Sequence, residues 1–274
     1  MTSPGIHIFQ IYYSSATRQI LDPGFTPLDN LANERPDWRE YWPIRNYLLN
    51  HELIAGDYYG FLSPAFKEKT RLSSAEVIDF VNAQGGKPDV VLISPFFDQI
   101  AFFLNQWEQG VMAHKTSSFA FEEALALIAP DFRLYDTVCS SRNSVYCNYF
   151  VAKAEFWTAW FERCERVFDC AERGESPLGR ALASAAEYKS QAAPTKVFIV
   201  ERVASTLLAT QAHWCAKAYN PMLLPCSTSP ISALGAELAA LDALKSAYMA
   251  EPYAQYKQAF FNLRARFAET QRKQ

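Results

Sequence analysis

The sequence predicts an α/β protein in which helices cover both faces of a central sheet, followed by a helical C-terminal part. Strand-like and helix-like segments alternate through the first half of the chain. The strand-like segments are rich in β-branched and aromatic residues, which is typical of buried strands. The 274 residues, half of them hydrophobic, are enough to bury one large core, or a core with a helical appendage.

The first half contains three predicted strands and two predicted helices. Pro43 lies inside the first helix and must kink it or delay its start, because proline lacks the amide hydrogen of a helix interior. The second helix begins with Ser73 and Glu76 as a capping box and ends at Gly85–Gly86. The predicted order is a strand over residues 6–13, a helix over 36–50, a strand over 57–62, the helix that starts at Ser73, and a buried strand over 87–94.

The second half is predicted to be mostly helical. We expect an amphipathic helix over residues 116–129, a strand over 145–152, a helix over 153–173 and a buried helix over 195–213. Apolar residues recur at three- and four-residue spacing in the helix over 153–173. They predict its buried face, which consists of Phe156, Trp160, Cys164, Val167 and Ala171.

Two further helices, divided at Pro252, end the chain. Apolar stripes over residues 234–248 and 253–267 indicate a helical pair packed on the rest of the protein or on a partner subunit. The alternative is peripheral attachment to an anionic membrane, in which basic residues beside an apolar face contact the lipid headgroups. Those basic residues are Lys257, Arg264 and Arg266.

Composition and motifs exclude several classes of protein. A net charge of −3 is unlike that of a general nucleic-acid binder. No apolar run approaches the roughly 20 residues of a membrane-spanning helix, and no signal peptide is recognisable, so we expect a cytoplasmic protein. The six cysteines and four histidines form no metal-binding motif. The glycine-rich loop of dehydrogenases, the P-loop and the nucleophile elbow are all missing.

Without a phosphate loop, a ligand has to be held by side chains where the strands end, since open α/β sheets bind ligands beyond the carboxyl ends of their strands. Tyr12 and Ser14 follow the first strand and are candidate nucleotide contacts. Basic side chains around this edge suit a diphosphate. The candidate diphosphate contacts are Ser63, Lys67, Lys69 and Arg142.

Four stretches in the same order resemble a family of bacterial capsule and O-antigen (lipopolysaccharide) glycosyltransferases with a GT-A-like fold. They are ERPDWREYWPIRNYLL, DYYGFLSPAFKEKT, CNYFVAKAEFWTAWF and FIVERVASTLLAT, and the resemblance spans roughly residues 6–215. It implies a Rossmann-like nucleotide-sugar-binding domain over residues 1–215 and a C-terminal helical extension over 216–274. It also implies a nucleotide-diphosphate-sugar donor and a glycan or lipid-linked glycan acceptor.

The chain departs from the family pattern where many GT-A enzymes place a metal-binding Asp-x-Asp. The sequence here is Ser63-Pro64-Ala65-Phe66. A divalent ion binds a diphosphate through carboxylate oxygens, so the missing carboxylate pair favours metal-independent chemistry without a cofactor. A divalent metal is the less favoured alternative.

Glu201 and Arg202 stand in an otherwise apolar helix and match the Glu-Arg of the family. A buried carboxylate is costly unless it is paired or functional. Glu201 is therefore either the base that deprotonates the acceptor hydroxyl or a brace paired with an arginine such as Arg45 or Arg142.

The stretch over residues 104–116 combines an aromatic ring with hydrogen-bonding groups, as sugar sites do. Glu108 is the second candidate base. The alternative is that Trp107 merely fills the core. The candidate sugar contacts are Trp107, Gln109, His114, Asn148 and Arg202.

The leading hypothesis is therefore sugar transfer from a nucleotide-diphosphate sugar to a surface polysaccharide, by a protein that is cytoplasmic or peripheral at the inner membrane and does not bind nucleic acid. The rival hypothesis is a non-catalytic module of a polysaccharide assembly complex, which would use its C-terminal helices as the interaction surface. A nucleotide-sugar-modifying methyltransferase is least favoured, because the glycine-rich cofactor loop is missing.

Overall fold

A computed structural model describes residues 4–114, 117–186 and 193–272. Its centre is a six-stranded sheet with the strand order β2-β1-β3-β5-β4-β8. All neighbouring strands are parallel except β5, which runs antiparallel to both β3 and β4. The strands are β1 (Ile6–Tyr12), β2 (Thr26–Asp29), β3 (Tyr58–Leu62), β4 (Val90–Leu92), β5 (Phe150–Lys153) and β8 (Ala216–Ala218), and a separate ribbon contains β6 (Ala185–Ala186) and β7 (Ala193–Pro194).

Helices connect the strands and form the C-terminal part. They are α1 (Ser15–Gln19), α2 (Tyr41–Asn50), α3 (Phe66–Thr70), α4 (Ser74–Ala83), α5 (Phe97–Phe102), α6 (Gln106–Ala113), α7 (Ser118–Ile128), α8 (Ala154–Arg173), α9 (Pro177–Ala183), α10 (Thr195–Val200), α11 (Val203–Thr210), α12 (Gly235–Ala250) and α13 (Ala254–Arg272). Short 3-10 turns cover Pro36–Trp38, Pro221–Leu223 and Pro230–Leu234.

Both faces of the sheet are covered, as the sequence predicts. Alternate residues of one strand belong to two different apolar clusters, because successive side chains of a strand point to opposite faces. In β3, Tyr59 and Phe61 join the larger cluster, which includes four buried tryptophans, whereas Tyr58 and Leu62 join the smaller one. The α/β fold class is therefore confirmed, and the arrangement of sheet and helices is compatible with a Rossmann-like fold.

Several predicted elements are confirmed in detail. The capping box of Ser73 and Glu76 opens α4. The five apolar residues predicted to form the buried face of α8 are all buried. Pro43 falls in the first turn of α2, where the missing amide hydrogen leaves no intrahelical bond unmade. The helix therefore starts late instead of kinking.

Three predictions of the element boundaries are wrong. The strand predicted over residues 145–152 begins only at Phe150, because Cys147 and Asn148 have positive φ angles that no strand accommodates. The helix predicted over 195–213 is interrupted by a turn at Glu201–Arg202. The α/β part also continues beyond residue 215, since β8 pairs with β4. Residue 116, the predicted first residue of α7, lies outside the described residues.

The C-terminal helices pack on the α/β part. The apolar stripe of α12 and most of the stripe of α13 form one cluster with Phe97, Ala101 and Leu104 of α5 and its exit loop. The prediction of a packed helical pair is therefore confirmed. In the described part of the chain, no helix combines the length and the apolar character that crossing a bilayer requires.

Candidate functional site

The carboxyl ends of three parallel strands meet at one edge of the sheet. Because β2 and β3 lie on opposite sides of β1, the strand order changes direction at this point, and open α/β sheets bind ligands in such a crevice. The antiparallel β5 brings its amino end to the same edge. Consequently Ser63, which follows β3, lies near Cys147 and Asn148, which precede β5.

A small cavity opens at this edge, with a volume of about 50 Å³, or about 410 Å³ when the open solvent at its mouth is included. Its walls come from four parts of the chain, namely the turn before α2, the end of β3 with α3, the entry to β5, and the end of α10. The lining residues are Trp38, Arg39, Glu40, Tyr41, Ser63, Lys69, Cys147, Asn148, Val197, Val200 and Glu201. Four of the predicted site residues, Ser63, Lys69, Asn148 and Glu201, are therefore brought together.

Lys69 places a positive charge in the cavity wall. Its ammonium lies 3.5 Å from Cys147 Sγ and 5.8 Å from the centre of the Tyr149 ring. No carboxylate of the described residues lies within ion-pair distance of Lys69. Burial alone would lower the pKa of Lys69. The electrostatic effect of the surrounding groups, with Cys147 and Tyr149 the largest contributors, outweighs burial and raises the pKa. The side chain is therefore protonated at neutral pH.

Glu201 places a carboxylate in the same cavity. It lies in the turn between α10 and α11, is partly exposed, and its side chain makes no hydrogen bond to the described residues. Burial in the wall raises the pKa of Glu201, while Lys69 and Arg202 oppose the increase and Glu40 adds to it. A carboxylate with a raised pKa beside an open volume has the properties of a general base.

The proposed bracing role of Glu201 is wrong. Arg45 pairs instead with Glu165, with a 2.8 Å contact between Nε and Oε1. Arg142 is exposed and does not line the cavity.

Ser63 and Asn148 supply neutral polar groups. Ser63 is buried and shares a hydrogen bond with the hydroxyl of Tyr149. The side chain of Asn148 lines the cavity, the residue is only 7% exposed, and its Oδ1 has no hydrogen-bond partner in the described part of the chain. Since buried polar atoms are nearly always paired, a ligand group or a water is needed to satisfy this oxygen.

Backbone strain is concentrated around the cavity. Of the six non-glycine residues with positive φ in the described ranges, Arg39, Cys147 and Asn148 line it. Such conformations cost of order 1–3 kcal/mol each and occur often at functional sites.

The turn before α2 supplies lining residues that were not predicted from the sequence, Arg39 and Glu40 among them. Its only sequence signal is a run of charged and aromatic residues, DWREYW, which reads as helix.

The other candidate diphosphate and nucleotide contacts lie elsewhere. Lys67 is exposed on α3 and does not line the cavity. Tyr12 is buried, and the interaction of its hydroxyl with the carboxylate of Asp29 raises the pKa of the phenol. The hydroxyl of Ser14 caps α1, so it is already engaged.

The stretch over residues 104–116 forms core instead of a sugar-binding wall. Trp107 is fully buried, and its indole N–H donates to Thr206 Oγ1 at 2.8 Å, so the alternative of a core tryptophan is confirmed. Glu108 is buried, accepts the amide of Leu104 and binds Arg264 through both oxygens. It is therefore a structural carboxylate. Residues 115–116 lie outside the described residues.

Arg202 is the residue that braces this region. It is buried and donates to Gln109 Oε1 at 2.6 Å and to the carbonyls of Gln106 and Phe198. His114 is also buried, with its ring stacked on Phe198 at 4.3 Å between centroids. The side chains of Gln109, His114 and Arg202 therefore pack around α6, and the prediction that they contact a sugar in the cavity is wrong.

Comparisons of the chain with protein-family models, with curated proteins and with solved structures gave no match.

Proposed function

We propose that the protein is a transferase that uses a nucleotide-diphosphate donor, and more specifically a glycosyltransferase with a GT-A-like fold. The observation that carries this proposal is the convergence of Lys69 and Glu201 in one cavity at the carboxyl edge of the sheet, where neither has an ion-pair partner among the described residues. A cation can neutralise the leaving diphosphate, and a carboxylate can accept the proton of the acceptor hydroxyl.

Lys69 binds the diphosphate of the donor. The ammonium stays charged at neutral pH and has no carboxylate partner in the described chain, so its charge is available to an anion. As the bond between sugar and diphosphate breaks, negative charge accumulates on the leaving group. A positive charge held in place before the reaction stabilises that state at no cost in reorganisation.

Glu201 accepts the proton of the acceptor hydroxyl as that oxygen attacks the anomeric carbon. Burial raises the pKa of Glu201, and a base whose pKa is closer to the working pH is a better proton acceptor in its ionised form. The unpaired Oδ1 of Asn148 accepts a hydrogen bond from a hydroxyl of the donor sugar, beside the hydroxyl of Ser63.

We propose that the transfer is metal-independent. A divalent ion on a diphosphate needs carboxylate oxygens, and Ser63-Pro64-Ala65-Phe66 stands where many GT-A enzymes place a metal-binding Asp-x-Asp. Within the described ranges, no three histidine, cysteine or carboxylate side chains are grouped as metal ligands. The residues around the cavity therefore fit a lysine-bound diphosphate better than a metal-bound one.

The acceptor that we propose, a capsule or O-antigen glycan or its lipid-linked precursor, rests on the sequence resemblance, as does a position in the cytoplasm or at the inner membrane. No observation favours the rival hypothesis of a non-catalytic module. Most of the apolar surface of α12 and α13 that such a module would use is packed against α5.

A screen of nucleotide-sugar donors tests the proposal. The purified protein is incubated with labelled UDP-, GDP- and CDP-sugars, and release of the nucleoside diphosphate and transfer to added glycans are measured. We expect turnover with one donor. The rate of transfer should fall at least 100-fold in Glu201→Gln. It should be retained in Glu108→Gln, because Glu108 lies outside the cavity. Equal turnover in the wild type and Glu201→Gln would rule out the assigned base. If neither turnover nor binding occurs with any donor, the proposed function is wrong.

A further inference from the structure

The turn between the 3-10 helix Pro36–Trp38 and α2 has an arginine in a conformation that favours glycine. Arg39 has φ 49° and ψ −133°, near the angles of about +60° and −120° at the first central position of a type II′ turn. Glycine is usual there because a Cβ atom is strained at positive φ. A side chain persists at such a position only where the surrounding contacts impose it.

Buried contacts impose this turn. Trp38, immediately before Arg39, is fully buried, and its indole N–H donates to Glu172 at 2.9 Å. The ammonium of Lys196, itself buried, lies 4.2 Å from the centre of the Trp38 ring and binds Asp37. The residues before the turn are therefore fixed from the core side, which leaves Arg39 at the rim of the cavity.

The guanidinium of Arg39 has no partner in the described part of the chain. It is exposed, lines the cavity and makes no hydrogen bond or ion pair with a described residue. The neighbouring Arg35 and Arg45 differ, because each binds a glutamate through two nitrogens. Within the described ranges, the strained turn therefore places an unpartnered cation in the wall of the cavity that Lys69 and the unpaired Oδ1 of Asn148 also line.

We propose that Arg39 is an anion-binding residue of the cavity and that its guanidinium binds the diphosphate of the donor together with Lys69. The identity of the ligand rests on the proposed function. A guanidinium offers two parallel N–H donors that match two phosphate oxygens, whereas an ammonium acts as a point charge. The two residues thus supply complementary contacts, and the backbone strain at Arg39 is a cost in stability that the protein bears for binding.

The test separates strain from charge with three variants. Arg39→Gly removes both the guanidinium and the strain, and Arg39→Ala removes the guanidinium but keeps a Cβ at positive φ. Arg71→Gly is the matched control, since Arg71 is an exposed arginine with φ 61° that does not line the cavity. The thermal unfolding midpoint is measured without ligand. Dissociation constants for UDP, GDP, CDP and inorganic pyrophosphate are measured by calorimetry.

We expect Arg39→Gly and Arg71→Gly to raise the unfolding midpoint by about 2–4 °C, because each relieves a positive φ. We expect both Arg39 variants to bind the anions at least tenfold more weakly than the wild type, whereas Arg71→Gly binds them unchanged.

Each other outcome has a distinct meaning. If the wild type binds a nucleoside diphosphate and the Arg39 variants bind it equally well, the inference is overturned and the proposed function stands. Loss of binding in Arg39→Gly but not in Arg39→Ala also overturns the role of the guanidinium, because the cause is then a loosened turn. If only pyrophosphate binds and its binding depends on Arg39, the inference holds and the proposed function is wrong. Absence of binding by all four anions contradicts both.

Discussion

At the scale of single residues, the presence or absence of an ion-pair partner distinguishes structural charged residues from candidate functional ones. Glu108 is bound by Arg264, and Glu165 by Arg45. Lys69, in contrast, lines a cavity without an ion-pair partner in the described chain. Because partly buried charges are costly unless they are paired, an unpaired one at a cavity is the more informative observation.

The carboxylate of Glu201 is expected to lower stability at neutral pH. Burial raises its pKa in the folded protein, so the folded state prefers the protonated form and loses stability as the pH rises above the pKa of the unfolded chain. Glu201→Gln should therefore unfold at a higher temperature than the wild type at pH 7, with the difference vanishing near pH 4. Thermal unfolding across this range measures the effect. A Gln variant that is less stable at pH 7 would show that the carboxylate is well paired.

The carboxylate of Glu108, unlike that of Glu201, is expected to stabilise the folded protein. Its side chain is 10% exposed and that of Arg264 is 19% exposed, so Glu108→Gln leaves a largely buried guanidinium without its counter-charge. We expect a loss of roughly 2–4 kcal/mol in urea unfolding. The matched control is Asp169→Asn, which removes an ion pair whose side chains are 59% and 70% exposed and should cost less than about 1 kcal/mol. Equal losses in the two variants would contradict this account.

At the scale of elements, sequence patterns predicted what local interactions determine. The capping box of α4 and the buried face of α8 follow from residues close in sequence. The turn at Glu201–Arg202 did not show in the pattern, because the apolar residues continue on both sides of it. The late start of β5 and the strained turn at Arg39 were also missed, since contacts between distant elements impose positive φ on residues that do not favour it.

The contact between α12 and α5 should respond to alkaline pH. Lys245 is buried and donates to the carbonyls of Ile100 and Phe103 at 2.5 and 2.6 Å, which places its ammonium at the end of α5. Burial lowers the pKa of Lys245 from 10.5 to about 8. The unfolded chain then binds more protons than the folded protein between those values, so the contribution of Lys245 to stability rises with pH from about 8 to 10.5.

The difference in unfolding free energy between the wild type and Lys245→Met isolates this effect, because the other titrating groups are common to both proteins. We expect the unfolding free energy of the wild type to rise relative to that of Lys245→Met between pH 8 and pH 10. A difference independent of pH would contradict the prediction.

At the scale of the whole molecule, the C-terminal helices pack closely on the α/β part. Their apolar residues complete a cluster with Phe97, Ala101 and Leu104. Asp242 of α12 also accepts hydrogen bonds from the amide and hydroxyl of Ser141. The α/β part reaches β8 in addition, so a boundary at residue 215 cuts through the sheet.

Removal of residues 235–274 should therefore leave a protein that does not fold cooperatively, because the apolar face of α5 would be exposed to water. Circular dichroism and denaturant unfolding of the truncated chain measure this. A soluble truncated chain with the same unfolding midpoint as the full chain would contradict the prediction.

The sequence predicted the edge of the sheet at which the cavity lies but not all of its lining residues. The carboxyl ends of β1 and β3 were recognisable, and Ser63, Lys69, Asn148 and Glu201 do meet there. The sequence could not separate Lys69 from Lys67, since only the geometry of α3 turns one inward and the other outward. It could not assign the stretch over residues 104–116 either, because polar and aromatic residues that bind a sugar resemble those that cap and fill a core.

Lys67 and Lys69 can be compared directly, because only Lys69 lines the cavity that is proposed to bind a nucleoside diphosphate. Calorimetric titration with UDP, GDP and CDP is compared among the wild type, Lys69→Met and Lys67→Met. We expect at least one nucleotide to bind, with affinity reduced about 10- to 100-fold in Lys69→Met, as for the loss of a charged hydrogen bond, and nearly unchanged in Lys67→Met. Equal affinities in all three proteins, or a loss confined to Lys67→Met, would contradict the account.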